Sequence, residues 1–208
     1  MAYAFLGKDD LWAEPHPSDP GSPADLEGPQ RNGSGGTAGS VAATGNKSID
    51  GILSGVKWNG SITYSAPDAV TDYQGGYWVN HTEFDGVGHN GFSAFTAQQL
   101  TAFHFALNTA GASAGFSVAG FTGLNIKFIG GGSGAGTIRG ANADAANPTA
   151  FAFYPHGSWY GGDAFFGNTQ NGTSSSLKTP AAGNWAWHTM LHEMGHSLGL
   201  KHGHETQG

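Results

Sequence analysis

One segment late in the chain restricts the local fold more than any other. Residues 192–202 read His-Glu-Met-Gly-His-Ser-Leu-Gly-Leu-Lys-His, so three histidines stand at fixed intervals and a glutamate follows the first. His192 and His196 are four residues apart, and such residues lie on one face of a helix, one turn apart. Gly199 can adopt a positive φ and end that helix, which lets the chain turn and bring His202 to the same point. The spacing predicts a helix, a sharp turn and three imidazoles around one metal ion.

The donor set of this group indicates its chemistry. Three imidazole nitrogens leave the fourth position of a tetrahedral zinc ion open for water, as in catalytic rather than structural zinc sites. Zinc lowers the pKa of its water to roughly 7 and polarises a carbonyl group. Glu193 follows His192 directly, so we expect it to take a proton from the attacking water and pass it to the leaving amine. The predicted zinc ligands are His192, His196 and His202, the predicted catalytic acid/base is Glu193, and the predicted reaction is peptide-bond hydrolysis without a covalent intermediate.

The extended pattern resembles that of the metzincin zinc metallopeptidases. Five stretches, taken in order, further resemble the catalytic domain of serralysin-like secreted bacterial proteases: residues 48–55, 57–64, 124–128, 150–155 and 198–202. The resemblance covers about residues 48–204. It implies an α+β fold, in which a twisted mixed β-sheet carries a backing helix and a zinc-binding active-site helix. It also implies that residues 149–154 form the antiparallel edge strand above a cleft, and that the substrate is a protein or peptide.

The same resemblance leads us to expect that the chain is the N-terminal part of a longer protein. Metzincins have a methionine-containing turn after the third histidine, whereas the methionines here are Met1, Met190 and Met194, all before His202. We therefore assign residues 1–47 to a flexible N-terminal or pro-segment and residues 48–208 to a catalytic domain truncated before the Met-turn. The expected partner is the missing C-terminal portion, with a Ca²⁺-binding repeat domain and the signal for secretion by a bacterial type I route.

Composition excludes several other classes. The net charge is −7, and only 8 lysines and arginines are scattered along the chain, which argues against a nucleic-acid partner. The chain has 0 cysteines, so no thiolate can serve as ligand or nucleophile. No apolar run approaches the length of a membrane span.

The spacing of apolar residues, together with capping and turn residues, predicts the remaining helices, strands and loops. Thr96 and Gln99 form a predicted capping box before a helix whose apolar face comprises Leu100, Phe103, Leu107 and Ala110. The last helix is predicted to begin near Asn184 and to bury Trp187, Leu191, Met194 and Leu198. Predicted strands span residues 58–64, 116–118, 124–129, 149–154 and 163–168, and predicted loops span residues 65–92, 131–138 and 169–184.

Two other functions fit the same residues. The chain is an inactive zinc-binding or interaction fragment if the part after the third histidine is needed for catalysis. It is a non-protease zinc hydrolase if the site accepts another small substrate, although the third histidine after a glycine argues against that. His188 lies four residues before His192, and His204 lies two after His202. His188 is a candidate for a contact to a metal ligand or to the substrate. His204 is a candidate for a competing metal contact, the less favoured interpretation of that residue.

Overall fold

The computed structural model describes residues 37–73, 91–108, 126–157 and 160–205. These residues have an α+β fold with a mixed sheet. The strands are β1 (Thr37–Ser40), β2 (Val56–Asn59), β3 (Ile62–Ala66), β4 (Ile126–Gly131), β5 (Ile138–Asn142), β6 (Ala150–Ala152), β7 (Ala164–Phe166), β8 (Thr169–Gln170) and β9 (Thr173–Ser174). The helices are α1 (Lys47–Asp50), α2 (Ala97–Leu107) and α3 (Trp185–Ser197), and short 3-10 turns span Val70–Asp72, Asp144–Ala146 and Ser176–Lys178.

The main sheet has five strands in the order β4-β3-β5-β7-β6. Strands β4, β3, β5 and β7 run parallel to one another, and β6 pairs antiparallel with β7 at the edge. This confirms the predicted mixed sheet and the antiparallel edge strand, which is shorter than residues 149–154. Outside this sheet, β1 pairs antiparallel with β2, so the last part of the segment assigned to residues 1–47 is extended and paired.

Two predictions about strands are wrong. The single strand expected over residues 58–64 is two strands in different sheets, because the chain turns at Gly60, which has a φ of +74°. The second error concerns β5, which no predicted strand covers: the predicted loop over residues 131–138 includes Ile138, yet all five residues of this strand are buried in the middle of the sheet. The predicted strands at 124–129 and 163–168 are present as β4 and β7, whereas residues 116–118 lie outside the described residues.

Helix α2 begins as predicted. The Thr96 hydroxyl accepts from the amide of Gln99, and the Gln99 side chain accepts from the amide of Thr96. Residues on one side of α2 and α3 join a single core cluster on one face of the sheet, including Phe103, Leu107, Met190 and Met194. Phe165 belongs to a second cluster while Phe166 belongs to the first, because successive strand residues point to opposite faces.

The predicted loop at 169–184 contains additional local structure. Asn171 and Gly172 have φ angles of 52° and 75° and connect β8 to β9, as an Asn-Gly pair does in a tight hairpin. Helix α3 then begins after Asn184, whose side chain accepts from the amide of Trp187 at 2.8 Å. No helix in the described ranges is both long and apolar enough to cross a membrane.

Candidate metal centre

Helix α3 and the turn after it bring the three histidines of the motif together. The Nε2 atoms of His192 and His196, one turn apart on α3, are 3.0 Å from each other. The Nε2 atom of His202 lies 2.9 Å from that of His192 and 3.2 Å from that of His196. All three rings therefore direct the same nitrogen at one point, and the group can hold a metal ion.

Gly199 ends α3, the helix that carries His192 and His196. Its φ is +102°, its amide donates to the carbonyl of His196 at 2.8 Å, and the amide of Leu200 donates to the carbonyl of Gly195 at 2.9 Å. This pair of bonds is a Schellman motif, in which a left-handed residue satisfies the last carbonyls of a helix. An added Cβ at Gly199 would collide with the carbonyl oxygen of Val56, so glycine is required for its conformation and for its lack of a side chain.

The spacing of the nitrogens fits a tetrahedral ion. Three nitrogens bonded to one zinc at about 2.0–2.1 Å and tetrahedral angles lie about 3.3 Å apart. The nitrogen pairs here are separated by 2.9, 3.0 and 3.2 Å, slightly closer than that arrangement. Neutral imidazole is a common ligand of zinc and of other transition metals, so the donor set alone admits several metals.

Hydrogen bonds at the opposite ring nitrogens fix two of the tautomers. Nδ1 of His196 lies 2.6 Å from the carbonyl oxygen of Leu200, and Nδ1 of His202 lies 2.6 Å from Oε1 of Glu205. A carbonyl oxygen only accepts, so Nδ1 of His196 is the protonated nitrogen and its Nε2 keeps the lone pair. A carboxylate imposes the same tautomer on His202, an arrangement common behind metal-binding histidines.

His192 is adapted to remain neutral. Burial lowers its pKa from 6.5 to about 4, and the nearby rings of His196, His202 and His188 act in the same direction, while Glu205 opposes them. The protonated form is disfavoured because the ring is partly desolvated and stands in a group of histidines. A ring that stays unprotonated as the pH falls keeps the lone pair that a metal needs.

Glu193 is the buried acid of this region. It follows His192 on α3, and only 2% of its surface is exposed. His188 stacks on His192, with ring centroids 6.1 Å apart, and His204 stacks on His202 at 5.3 Å. The two flanking histidines are thus ring neighbours of candidate ligands, and His188 reaches the site as its spacing predicts.

Three residues at the site were not anticipated from the sequence. The Glu205 carboxylate accepts a hydrogen bond from Nδ1 of His202, and the Tyr154 hydroxyl lies 3.3 Å from the other carboxylate oxygen, Oε2. The Lys201 ammonium donates to the backbone carbonyls of Gly51 and Glu205, close to the third histidine. Glu205 could have been noticed, because a carboxylate three residues after a ligand can reach its ring. Tyr154 gave no such signal, since it is distant in sequence.

No protein-family model matches the chain.

Proposed function

We propose that the protein is a zinc-dependent endopeptidase of the metzincin type, with a catalytic domain resembling that of serralysin-like secreted bacterial proteases. The single observation that supports this most directly is the convergence of three Nε2 atoms within 3.2 Å of one another. The convergence occurs in a segment with metzincin spacing, next to a buried glutamate. His192, His196 and His202 are the zinc ligands in this proposal.

The residues of the chain have separate roles in hydrolysis. His192, His196 and His202 would hold zinc through their Nε2 atoms, and the ion would supply a water of lowered pKa and would polarise the substrate carbonyl. Glu193 accepts a proton from the attacking water as the new C–O bond forms. It then donates this proton to the amide nitrogen as the C–N bond breaks, so the glutamate returns to its starting state. No protein nucleophile becomes acylated.

Strand β6 is the proposed docking edge for the substrate. It is one of the two edge strands of the five-stranded sheet in the described residues, it is antiparallel to β7, and it packs against α3. An edge strand presents backbone N–H and C=O groups that an extended peptide can pair with. A peptide bound there would lie beside the helix that carries His192, Glu193 and His196, which favours an extended polypeptide as the substrate.

Glu193→Gln tests the mechanism because it removes the proton acceptor while preserving side-chain size. We expect peptide or casein hydrolysis to fall roughly 10²–10⁴-fold, the usual contribution of general acid–base catalysis. Zinc stoichiometry by elemental analysis should remain that of the wild type. Asp68→Asn, on an exposed carboxylate away from the site, is the matched control and should retain full activity. Activity in Glu193→Gln close to the wild-type rate would contradict the mechanism.

The wild-type protein distinguishes the protease from a fragment that only binds metal or a partner. A protease loses turnover when a chelator removes zinc and regains it when zinc is restored. Stoichiometric zinc binding with no hydrolysis of casein or of a mixed peptide library would favour the inactive fragment. Hydrolysis of small esters without hydrolysis of peptides would favour a non-protease hydrolase.

A further inference from the structure

The third histidine is held by a buried lysine next to it. Lys201 is 8% exposed, and its ammonium donates to the carbonyl oxygens of Gly51 at 2.7 Å, Glu205 at 2.6 Å and His202 at 3.3 Å. An ammonium has three protons to donate, and a buried charge is tolerated only when such bonds replace its hydration. We call this arrangement the carbonyl clamp. It fixes the backbone on both sides of His202.

The clamp is part of a longer contact with a segment early in the chain. The amide of Lys201 donates to the carbonyl of Ile52 at 2.8 Å, and Leu53 forms an antiparallel bridge with Leu200. Ser54 donates to the carbonyl of Gly199 from both its amide, at 3.0 Å, and its hydroxyl, at 2.7 Å. The turn that returns His202 to α3 is therefore positioned by residues about 150 positions earlier.

Glu205 combines a backbone anchor with a side-chain contact to the ligand. Its carbonyl oxygen is one of the three acceptors of the clamp, and its Oε1 lies 2.6 Å from Nδ1 of His202. Tyr154 approaches the other carboxylate oxygen at 3.3 Å. The side chains of His202 and Glu205 are only 9% and 19% exposed. A carboxylate fixed at its backbone and at both oxygens restricts the rotation of the ring that it holds.

We propose that Glu205, anchored by Lys201, is a positioning residue that orients His202 for metal binding. The inference rests on the proposed metal centre, and it concerns the chain's own residues behind that centre. The carboxylate keeps the proton of His202 on Nδ1 and the lone pair on Nε2, and its charge makes the imidazole a stronger donor. His202 needs this support more than His192 or His196, because it alone stands outside α3.

A different role for Glu205 would be as a ligand itself. The donor atoms of His202, His204 and Glu205 lie within 4.8 Å of one another and could surround a second ion. The short contact between Nδ1 of His202 and Glu205 favours orientation over this role, because the same nitrogen cannot bind an ion and keep its proton. A second equivalent of zinc that disappears in His204→Ala would establish the second ion site and overturn the positioning role.

Metal affinity tests the proposal without using catalysis. The full chain is titrated with Zn²⁺ against a competing chelator, and the metal-free protein is titrated with Co²⁺ so that its visible absorption reports ligand geometry. Glu205→Ala should weaken zinc binding about 10–100-fold, the usual effect of removing a partner behind a metal ligand. Glu205→Gln should fall between wild type and Glu205→Ala, because its amide oxygen still accepts from Nδ1 but carries no charge. The Co²⁺ bands should shift in both variants.

The clamp is tested with Lys201→Met, which removes the three donors but keeps the length of the side chain. Its zinc affinity should fall in the same direction as that of Glu205→Ala. Lys57→Met, on an exposed lysine of β2, is the matched control and should bind zinc like the wild type. If Lys201→Met does not fold, the Glu205 variants still decide the proposal, because the Glu205 side chain is only partly buried and carries no buried ammonium.

The outcomes separate this inference from the proposed function. Zinc affinity in Glu205→Ala within twofold of wild type would overturn the positioning role while leaving the metal centre intact. The positioning role would also be overturned if metal-free Glu205→Ala were less stable to unfolding than the wild type while its Co²⁺ complex kept the wild-type absorption bands. That result would describe a residue with a purely structural role. Failure of the wild-type protein to bind zinc or cobalt would overturn the metal centre and the positioning role together.

Discussion

The indole nitrogen of Trp58 donates a hydrogen bond to the carbonyl oxygen of Ser197 at 2.8 Å, joining residues 139 positions apart. Trp58 lies in β2 and is 4% exposed, and Ser197 is the last residue of α3 and is completely buried. A carbonyl at a helix end has no partner within the helix and must be satisfied from outside. The early strand β2 therefore completes the end of the helix that bears two of the candidate ligands.

Trp58→Phe should destabilise the protein by about 1–3 kcal/mol, because it leaves the buried Ser197 carbonyl without this donor. Urea unfolding of the metal-free protein, followed by circular dichroism, measures the change. Trp185→Phe is the matched control, since Trp185 is 49% exposed and its replacement should change the free energy of unfolding by less than about 0.5 kcal/mol. Equal effects of the two substitutions would show that the Trp58 hydrogen bond contributes little.

Two glycines four residues apart should respond in opposite directions to alanine. Gly199→Ala combines a φ of +102° with a collision between the new Cβ and the Val56 carbonyl, so it should destabilise the fold and displace His202. Gly195 lies within α3, and a Cβ there would meet only Leu200, at 3.8 Å. Gly195→Ala should therefore stabilise the protein by about 0.5–1 kcal/mol. Thermal unfolding and zinc titration of both variants check this pair, and a stabilised Gly199→Ala would contradict it.

Structural features that depend on residues close together in the chain are predicted correctly from the sequence. Thr96 with Gln99, and Asn184 before α3, fix helix starts through side chains that bond to amides nearby. Gly199 marks a helix end because few other residues adopt its conformation. The convergence of the three histidines is predicted for the same reason, since residues 192–202 carry both the helical spacing and the glycine of the turn.

Structural features that depend on partners distant in the sequence are not predicted from it. Strand β5 contains Arg139 and Asn142, which look unsuited to a buried strand until their partners are known. The Arg139 guanidinium pairs with Asp163, and Asn142 exchanges hydrogen bonds with the side chain of Gln99. The contact of Lys201 with Gly51 is equally remote in sequence. Such pairings follow from the tertiary fold, so spacing alone does not predict them.

The Arg139–Asp163 pair should be among the most sensitive positions of the sheet. Both side chains are fully buried, and they form two hydrogen bonds of 2.9 and 2.6 Å. Asp163→Asn removes the negative charge from a fully buried, doubly hydrogen-bonded ion pair, so we expect destabilisation of about 3–5 kcal/mol. Asp68→Asn, at an exposed carboxylate, serves as the control. Urea unfolding midpoints within experimental error of each other for the two variants would refute the expected difference.

Removing zinc should lower the thermal stability of the protein. A ligand that binds only the folded state stabilises it by about 4 kcal/mol when its free concentration is a thousand times the Kd. For a domain of this size that corresponds to a Tm change of about 8–16 °C. Scanning calorimetry with added zinc or with chelator measures the shift. His202→Ala should show a much smaller response, whereas a full response in that variant would exclude His202 as a ligand.

The stability of the metal-free protein should decrease in acid partly through His104. Burial lowers the pKa of this histidine below its usual 6.5, and Nδ1 lies 2.7 Å from the hydroxyl of Tyr64, whose own pKa is raised by burial. The folded state therefore favours the neutral ring, and the unfolded state takes up the proton first as the pH falls below about 6.5. This contribution to stability is present at neutral pH and is lost as the pH falls towards the lowered pKa.

His104→Gln should accordingly make the free energy of unfolding less dependent on pH between about 6.5 and 5. Urea unfolding at several pH values, with chelator present throughout, compares the variant with the wild type while the three candidate ligand histidines contribute equally to both. Thr101→Ala changes an exposed, non-titrating position of the same helix and should keep the wild-type slope. Parallel curves for His104→Gln and the wild type would mean that the neutral His104 ring is not selectively stabilised by the fold.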